Sequence, residues 1–180
     1  MLQAASVCKR FGSTRALDGA CFELRQGEVH ALVGENGAGK STLIRILAGL
    51  VSADSGQVLL DGREAHIRSV SDAQHLGIAI IHQDFDLAPN LSLADNLFLG
   101  QEPESFPGFV RASRRNEAAR KVFGEFGLQA DPGAPAGTLP VAGRQLLALA
   151  RAAYTRPRIL VMDEPTSALA PDEARGLLAR

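Results

Sequence analysis

Residues 34–41 read Gly34, Glu35, Asn36, Gly37, Ala38, Gly39, Lys40 and Ser41, with Thr42 next. The spacing is that of a phosphate-binding loop, G-x-x-x-x-G-K-[ST]. The chemistry follows from the residue types. Gly34, Gly37 and Gly39 let the backbone curl until successive N–H groups point inward. With the start of the following helix they form an anion cradle. Lys40 is expected to reach the terminal phosphates and Ser41 to hold magnesium. Lys40 is one of only three lysines, with Lys9 and Lys121. The apolar run Val29-His30-Ala31-Leu32-Val33 ahead of the loop supplies the expected strand, and Thr42 to Leu50 the expected helix.

Three further positions fit phosphate chemistry. Asp163 closes the apolar run Ile159-Leu160-Val161-Met162, where a P-loop ATPase places a magnesium-binding acid. Glu164 follows it, and a carboxylate there can polarise a water for in-line attack on a γ-phosphate. Gln83 ends another apolar run, Ile78-Ala79-Ile80-Ile81, and its amide can coordinate magnesium or orient water without adding charge. Phe11 offers a ring on which a base could stack.

These residues need a scaffold. At 180 residues the chain is long enough for one domain with a real core. Its net charge of -1 argues against a general nucleic-acid binder. The arginines around Arg111, Arg114, Arg115 and Arg120 read as a solvated helix face. Cys8 and Cys21 have no metal-ligand spacing and read as reduced, buried or half-buried thiols. No apolar leader opens the chain, and no stretch reaches the ~18 apolar residues that span a bilayer.

Short strands broken by turns at Gly12–Arg15 and Asp18-Gly19 are expected first, then a strand at Gln57–Leu60 after the Asp54-Ser55-Gly56 turn. Ser71 and Gln74 suggest a capping box, with a stop at Gly77. The branched run at 78–81 reads as a strand buried on both faces, and 158–162 as a second buried strand. Between them lie expected helices: one capped by Ser92, one over 113–126 ending near Gly127, and one over about 141–154. Strand, phosphate loop, helix and later strands ending in acids make an α/β fold. It is a P-loop core with a mostly parallel sheet, an N-terminal antiparallel β subdomain and an inserted helical subdomain. The expected division is 1–85 and 157–180 for the nucleotide-binding core and 86–156 for the helical subdomain.

With these residues in place, the chain resembles an ATP-binding cassette ATPase. More narrowly, it resembles the first cassette of the carbohydrate-importer type. Val33–Leu43, Ile80-Ile81-His82-Gln83, Leu91–Gly100 and Met162–Leu169 carry the likeness. The resemblance implies ATP and Mg2+ as ligands, with Phe11 stacking on adenine and Glu164 as general base. Gln83 would link magnesium to the helical subdomain. It also implies a membrane permease, a second ATPase cassette and, indirectly, a solute-binding protein as partners, at the cytoplasmic face of the inner or plasma membrane. A soluble cassette ATPase acting on ribosomes or DNA and a regulatory nucleotide binder are the rival readings. The sugar is not legible, because permease and binding protein choose it.

Two departures matter. The family signature begins Leu-Ser-x-Gly, and the matching segment reads Leu139-Pro140-Val141-Ala142-Gly143-Arg144-Gln145. Proline brings neither hydroxyl nor N–H to the γ-phosphate held by the opposite cassette, though its φ suits a helix start. Second, the chain ends at Arg180, so the family's γ-phosphate histidine is expected further on. Slow or no hydrolysis by the chain alone is the corresponding expectation.

Overall fold

The computed structural model describes residues 1–81, 87–100 and 112–163. Gln83, Glu164, Arg111 and the segment after Asp163 lie outside the described residues. The chain divides into two compact units, Met1–Ala79 and Ile80–Arg180.

The first unit is built on an antiparallel sheet. Strands β1 (Leu2–Phe11), β2 (Thr14–Leu24), β3 (Ser55–Leu60) and β4 (Arg63–Glu64) lie in the order β2-β1-β3-β4. Leu2, Ala4, Val7, Leu17, Val58 and Leu60 form its buried face. The expected short strands are two long ones joined at Gly12-Ser13. Asp18-Gly19 is no turn. It lies inside β2, where the pairing steps from Val7↔Ala20 to Lys9↔Leu17, and Gly19 takes a positive φ of 67°. One extra residue in a strand makes a bulge, not a reversal.

β1 bulges in its turn at Ser6, whose φ is 50°. Against β3 the register steps from Ala5↔Gln57 to Cys8↔Ser55 across it. Gly56 lies against this bulge, and a Cβ there would meet the Ser6 carbonyl oxygen at 2.4 Å. The two cysteines pack against the bulges. The Ser6 N–H donates to Cys21 Sγ at 3.4 Å and the Gly19 N–H to Cys8 Sγ at 3.1 Å. Both thiols are free; Cys8 is half-buried, but Cys21 is exposed, contrary to the sequence expectation.

Helix α1 (Lys40–Leu47) buries Leu43, Ile44, Ile46 and Leu47. Helix α2 (Val70–His75) is capped by Ser69, not Ser71: Ser69 Oγ accepts the Asp72 N–H at 3.2 Å. Asp72 reaches back to accept the Arg68 N–H at 3.0 Å. Asp72 is the better third residue of such a box because a carboxylate also favours a helix N-terminus. Gly77 ends this segment at φ 78°, as expected.

Strand β5 (Ile78–Ile81), whose first two residues close the first unit, pairs with β6 (Ile159–Met162). The Asp163 N–H donates to the Ile81 carbonyl at 3.0 Å, so the C-terminal ends lie together and the pair is parallel. Leu160 and Met162 are exposed. Among the described residues only β5 pairs with β6, and this exposure corrects the buried strand expected at 158–162.

Helices α3 (Leu93–Phe98), α4 (Ala112–Phe126) and α5 (Val141–Tyr154) follow the expected spans closely. They share one core of Leu93, Leu97, Phe98, Ala119, Phe123 and Leu147, with Tyr154 set edge-on to Phe98 at 5.1 Å. The first turn of α3 leaves no orphan donor. Leu93 N–H donates to Ala134, Ala94 N–H to Pro132, and Asp95 N–H to Ser92 Oγ. Arg115 pairs with Asp95, while Arg114 and Arg120 stay exposed as a solvated face.

Asn96 fixes the approach to α3 and is fully buried. Its Oδ1 accepts the Ala88 N–H at 2.8 Å, and its amide donates to the Ala88 carbonyl at 2.9 Å and the Ser92 carbonyl at 3.0 Å. Truncation would leave buried peptide groups unpaired. Asn96→Ala is expected to cost about 2–4 kcal/mol, read as a lower urea midpoint with an unchanged slope. A cost below about 1 kcal/mol would mean that water replaces the side chain.

Candidate phosphate-binding site

The phosphate loop forms where its glycines allow it. Gly37 has φ 87° and Gly39 has φ 90°, both in the left-handed region open to glycine. Gly39 caps α1, and the Leu43 N–H donates to its carbonyl at 2.9 Å. Glu35 and Ala38 close the intervening turn through an N–H···O bond of 3.1 Å.

Gly39 has a second constraint. A Cβ there would stand 2.6 Å from both the Ala16 carbonyl oxygen and Leu17 Cδ2. The loop therefore backs directly onto β2, and only glycine permits that approach. At Gly37 a Cβ would meet nothing within 4 Å.

Lys40 lies across the loop. Its ammonium donates to the Gly34 carbonyl at 2.7 Å and to the Glu35 carbonyl at 2.9 Å. Lys40 thereby ties the two ends of the loop together and holds its positive charge over the curled backbone. An incoming phosphate would exchange neutral carbonyl acceptors for anionic ones, which make stronger bonds. Gly34 to Ala38 are exposed, so the loop is reachable.

Phe11 stands at the end of β1 and pairs in register with Thr14. Ala16, which backs Gly39, is two residues further along β2, about 7 Å at strand rise. One hairpin end thus serves both the ring and the loop. Phe11 is 47% exposed, so its ring can be stacked upon. Sequence reasoning missed its neighbours. The Lys9 ammonium lies 5.6 Å from the Phe11 ring centroid and pairs with Asp54 at 2.7 Å. Asp54 also accepts the Arg10 N–H at 2.7 Å. The available signal was the alternation of Lys9 and Phe11 on one strand; the partner 45 residues away gave none.

The strand expected at 29–33 is absent. Residues 25–39 carry no paired strand, and Val29 and Val33 are almost fully exposed. An apolar run becomes a strand only where another edge offers hydrogen bonds, and no described strand pairs with 29–33.

For magnesium, the described residues offer the Ser41 hydroxyl at the first turn of α1 and the Asp163 carboxylate after β6. Each lies in a different unit. No cluster of three His, Cys, Asp or Glu side chains occurs among the described residues. Both are oxygen donors, the ligand type magnesium prefers.

The signature counterpart opens α5. Pro140 is its N-cap at φ -62°, with no side-chain cap bond. A Cβ on Gly143 would lie 3.2 Å from Leu139 Cδ2, so this position is closely packed.

A glycine-built phosphate loop opening a helix, beside an antiparallel sheet, with a separate helical unit, defines a P-loop nucleotide-binding cassette. Comparison with known proteins agrees. The ABC transporter family model matches residues 17–167, and the chain belongs to that family. It is 48% identical over 177 residues to the ribose import ATP-binding protein RbsA 1 of Rubrobacter xylanophilus, covering 98% of this chain and 35% of that one. The RbsA protein of Chromobacterium violaceum is also 48% identical, over 93% of this chain and 33% of its own length. The chain thus spans about a third of these relatives. Among solved structures, a nucleotide-free cassette from an ABC transporter superposes with a TM-score of 0.82 at 28% identity, covering 99% of this chain and 74% of that one. A dimeric cassette bound to ADP and Pi shares the fold, with a TM-score of 0.79 at 23% identity over 99% and 80% of the two chains.

Two outcomes test the geometry. Gly39→Ala is expected to lower stability by about 1–3 kcal/mol more than Gly37→Ala in urea unfolding, because both share the φ strain and only Gly39 meets β2. Equal losses would remove β2 as the constraint. The Asp54 carboxyl is held below its ordinary range, first by the Lys9 ammonium and then by the Arg10 N–H. A depressed folded-state pKa stabilises above the ordinary carboxylate range and is lost as pH falls through the folded value. Asp54→Asn should therefore flatten the acid limb of the pH–stability curve and leave its neutral-to-basic shape unchanged.

Proposed function

We propose that this chain is the N-terminal cassette of an ATPase that energises uptake of a sugar or related small solute through a membrane permease. The observation that carries the reading is Lys40 drawn across a loop that Gly39 seats against β2. The relatives' printed names, ribose import ATP-binding proteins, support the solute class.

In this reading the N–H groups from Gly34 to Thr42, with Glu35, Asn36 and Ala38 shaping the turn, hold the ATP phosphates, and Phe11 takes the adenine. Lys40 leaves the Gly34 and Glu35 carbonyls for the terminal phosphates. Ser41, Gln83 and Asp163 hold Mg2+, which supplies charge neutralisation at the phosphate oxygens when bound. Glu164 accepts a proton from the attacking water as the bond between the γ-phosphorus and the ADP oxygen breaks. Residues 1–85 and 157–180 form the nucleotide-binding core, and 86–156 the helical subdomain that meets the permease. A second cassette completes each site, a solute-binding protein delivers the cargo, and nucleic acid has no part. The cassette works at the cytoplasmic face of the membrane, and no described helix is long and apolar enough to cross one.

Pro140 and Ala142 favour a second reading, a regulatory cassette with weak hydrolysis. A titration with Mg-ATP, with phosphate release followed in the same samples, tests both. Lys40→Ala is expected to weaken binding about 10- to 100-fold, the value of one bond to a charged group. Unchanged affinity in that variant would refute the loop assignment. In the assembled complex, Glu164→Gln is expected to stop turnover while leaving ATP bound. Turnover equal to wild type would favour the regulatory reading.

A further inference from the structure

Phe11 is not an isolated ring. The Lys9 side chain is only 14% exposed, and its ammonium lies 5.6 Å from the Phe11 ring centroid, within cation–π range. Asp54 holds that ammonium at 2.7 Å with one carboxylate oxygen. Its other oxygen takes the Arg10 N–H at 2.7 Å, on the residue immediately before Phe11. One carboxylate from the turn before β3 thus anchors both the cation and the backbone that carries the ring.

We propose that Lys9, fixed by Asp54, is a positioning residue for the nucleotide base: its ammonium occupies one face of Phe11 and commits the other to stacking. The inference rests on Phe11 being the base platform, as proposed above. The physical consequences are two. A ring with a cation on one face has only one face for a base, so the number of bound orientations falls. The ring is also held at a set angle before the ligand arrives, which lowers the ordering cost on binding. The phosphates are bound by the loop, so the effect belongs to the base alone.

The experiment measures binding of ATP and of inorganic triphosphate, each with magnesium, to the wild-type chain and to Lys9→Met, Lys9→Arg and Phe11→Ala. Methionine keeps an unbranched apolar stem and removes the charge; arginine restores a cation that can reach Asp54. Thermal melting of each variant checks the fold. Lys9→Met is expected to weaken ATP about two- to fivefold with triphosphate unchanged, and Lys9→Arg to recover most of the loss. Equal weakening of both ligands would overturn the proposal, because Lys9 would then act as a distant charge on the phosphates. So would ATP affinity unchanged in Lys9→Met while Phe11→Ala loses it, an outcome that leaves the stacking role of Phe11 standing. Unchanged ATP affinity in Phe11→Ala, or no ATP binding by the wild-type chain, would remove the platform and the inference with it.

Discussion

The approach of Gly39 to β2 is the constraint on which the candidate site depends. At this point the chain must turn with φ near 90°, start a helix and pass within contact of the Ala16 carbonyl. A side chain would forbid the last of these. Because the contact is made by backbone, it leaves little freedom in where α1 begins, and therefore in where Lys40 leaves the helix. Lys40 closes the loop from the other side through two carbonyls. The hairpin that backs the loop also ends at Phe11, so one sheet edge sets the spacing between a cationic loop and an aromatic platform.

The second unit is organised by polar satisfaction more than by its apolar stripes. The N–H groups of Leu93 and Ala94 are taken by carbonyls of the 131–137 loop, and Asn96 takes both peptide groups of Ala88. These bonds hold the segment before α3 and the loop before α5 against the same helix. The apolar core of Leu93, Leu97, Phe98, Phe123 and Leu147 then closes beneath a frame whose donors are already paired. Burial supplies most of the stabilisation, and the polar frame selects a single arrangement.

Much of this was legible where a local rule suffices. Ser92 and Gly127 bound helices because a capping hydroxyl and a left-handed glycine act within one turn of chain. The phosphate loop was legible for the same reason. Legibility failed where the deciding partner is remote. Asp18-Gly19 has turn composition, but pairing with β1 converts it into a bulge. Val29–Val33 has strand composition, but lacks a ladder partner among the described residues. Asp54 reads as a turn residue, and only the fold brings it to Lys9 and Arg10. The cap of α2 moved from Ser71 to Ser69 because Asp72 serves the helix end better than Gln74, a choice between two local options that composition left close.

Pro140 shows how the fold and a contact in trans can be separated. It starts α5 at φ -62°, within the range proline enforces, so the backbone accepts it, while the helix forgoes the side-chain cap that a serine can give. The first N–H groups of any helix lack intrahelical partners, and here they belong to Val141, Ala142 and Gly143. That end keeps its partial positive charge whatever residue caps it. What the replacement removes is one hydroxyl donor, about 1.5–3 kcal/mol where the acceptor is charged. On the proposed reading, the partner cassette's nucleotide would still meet a helix N-terminus, but a weaker one. The asymmetry between a complete phosphate loop and an impoverished signature then falls between the two sites of the assembly. This chain's own loop would bind in full, and the site that borrows its signature would be the slower of the two.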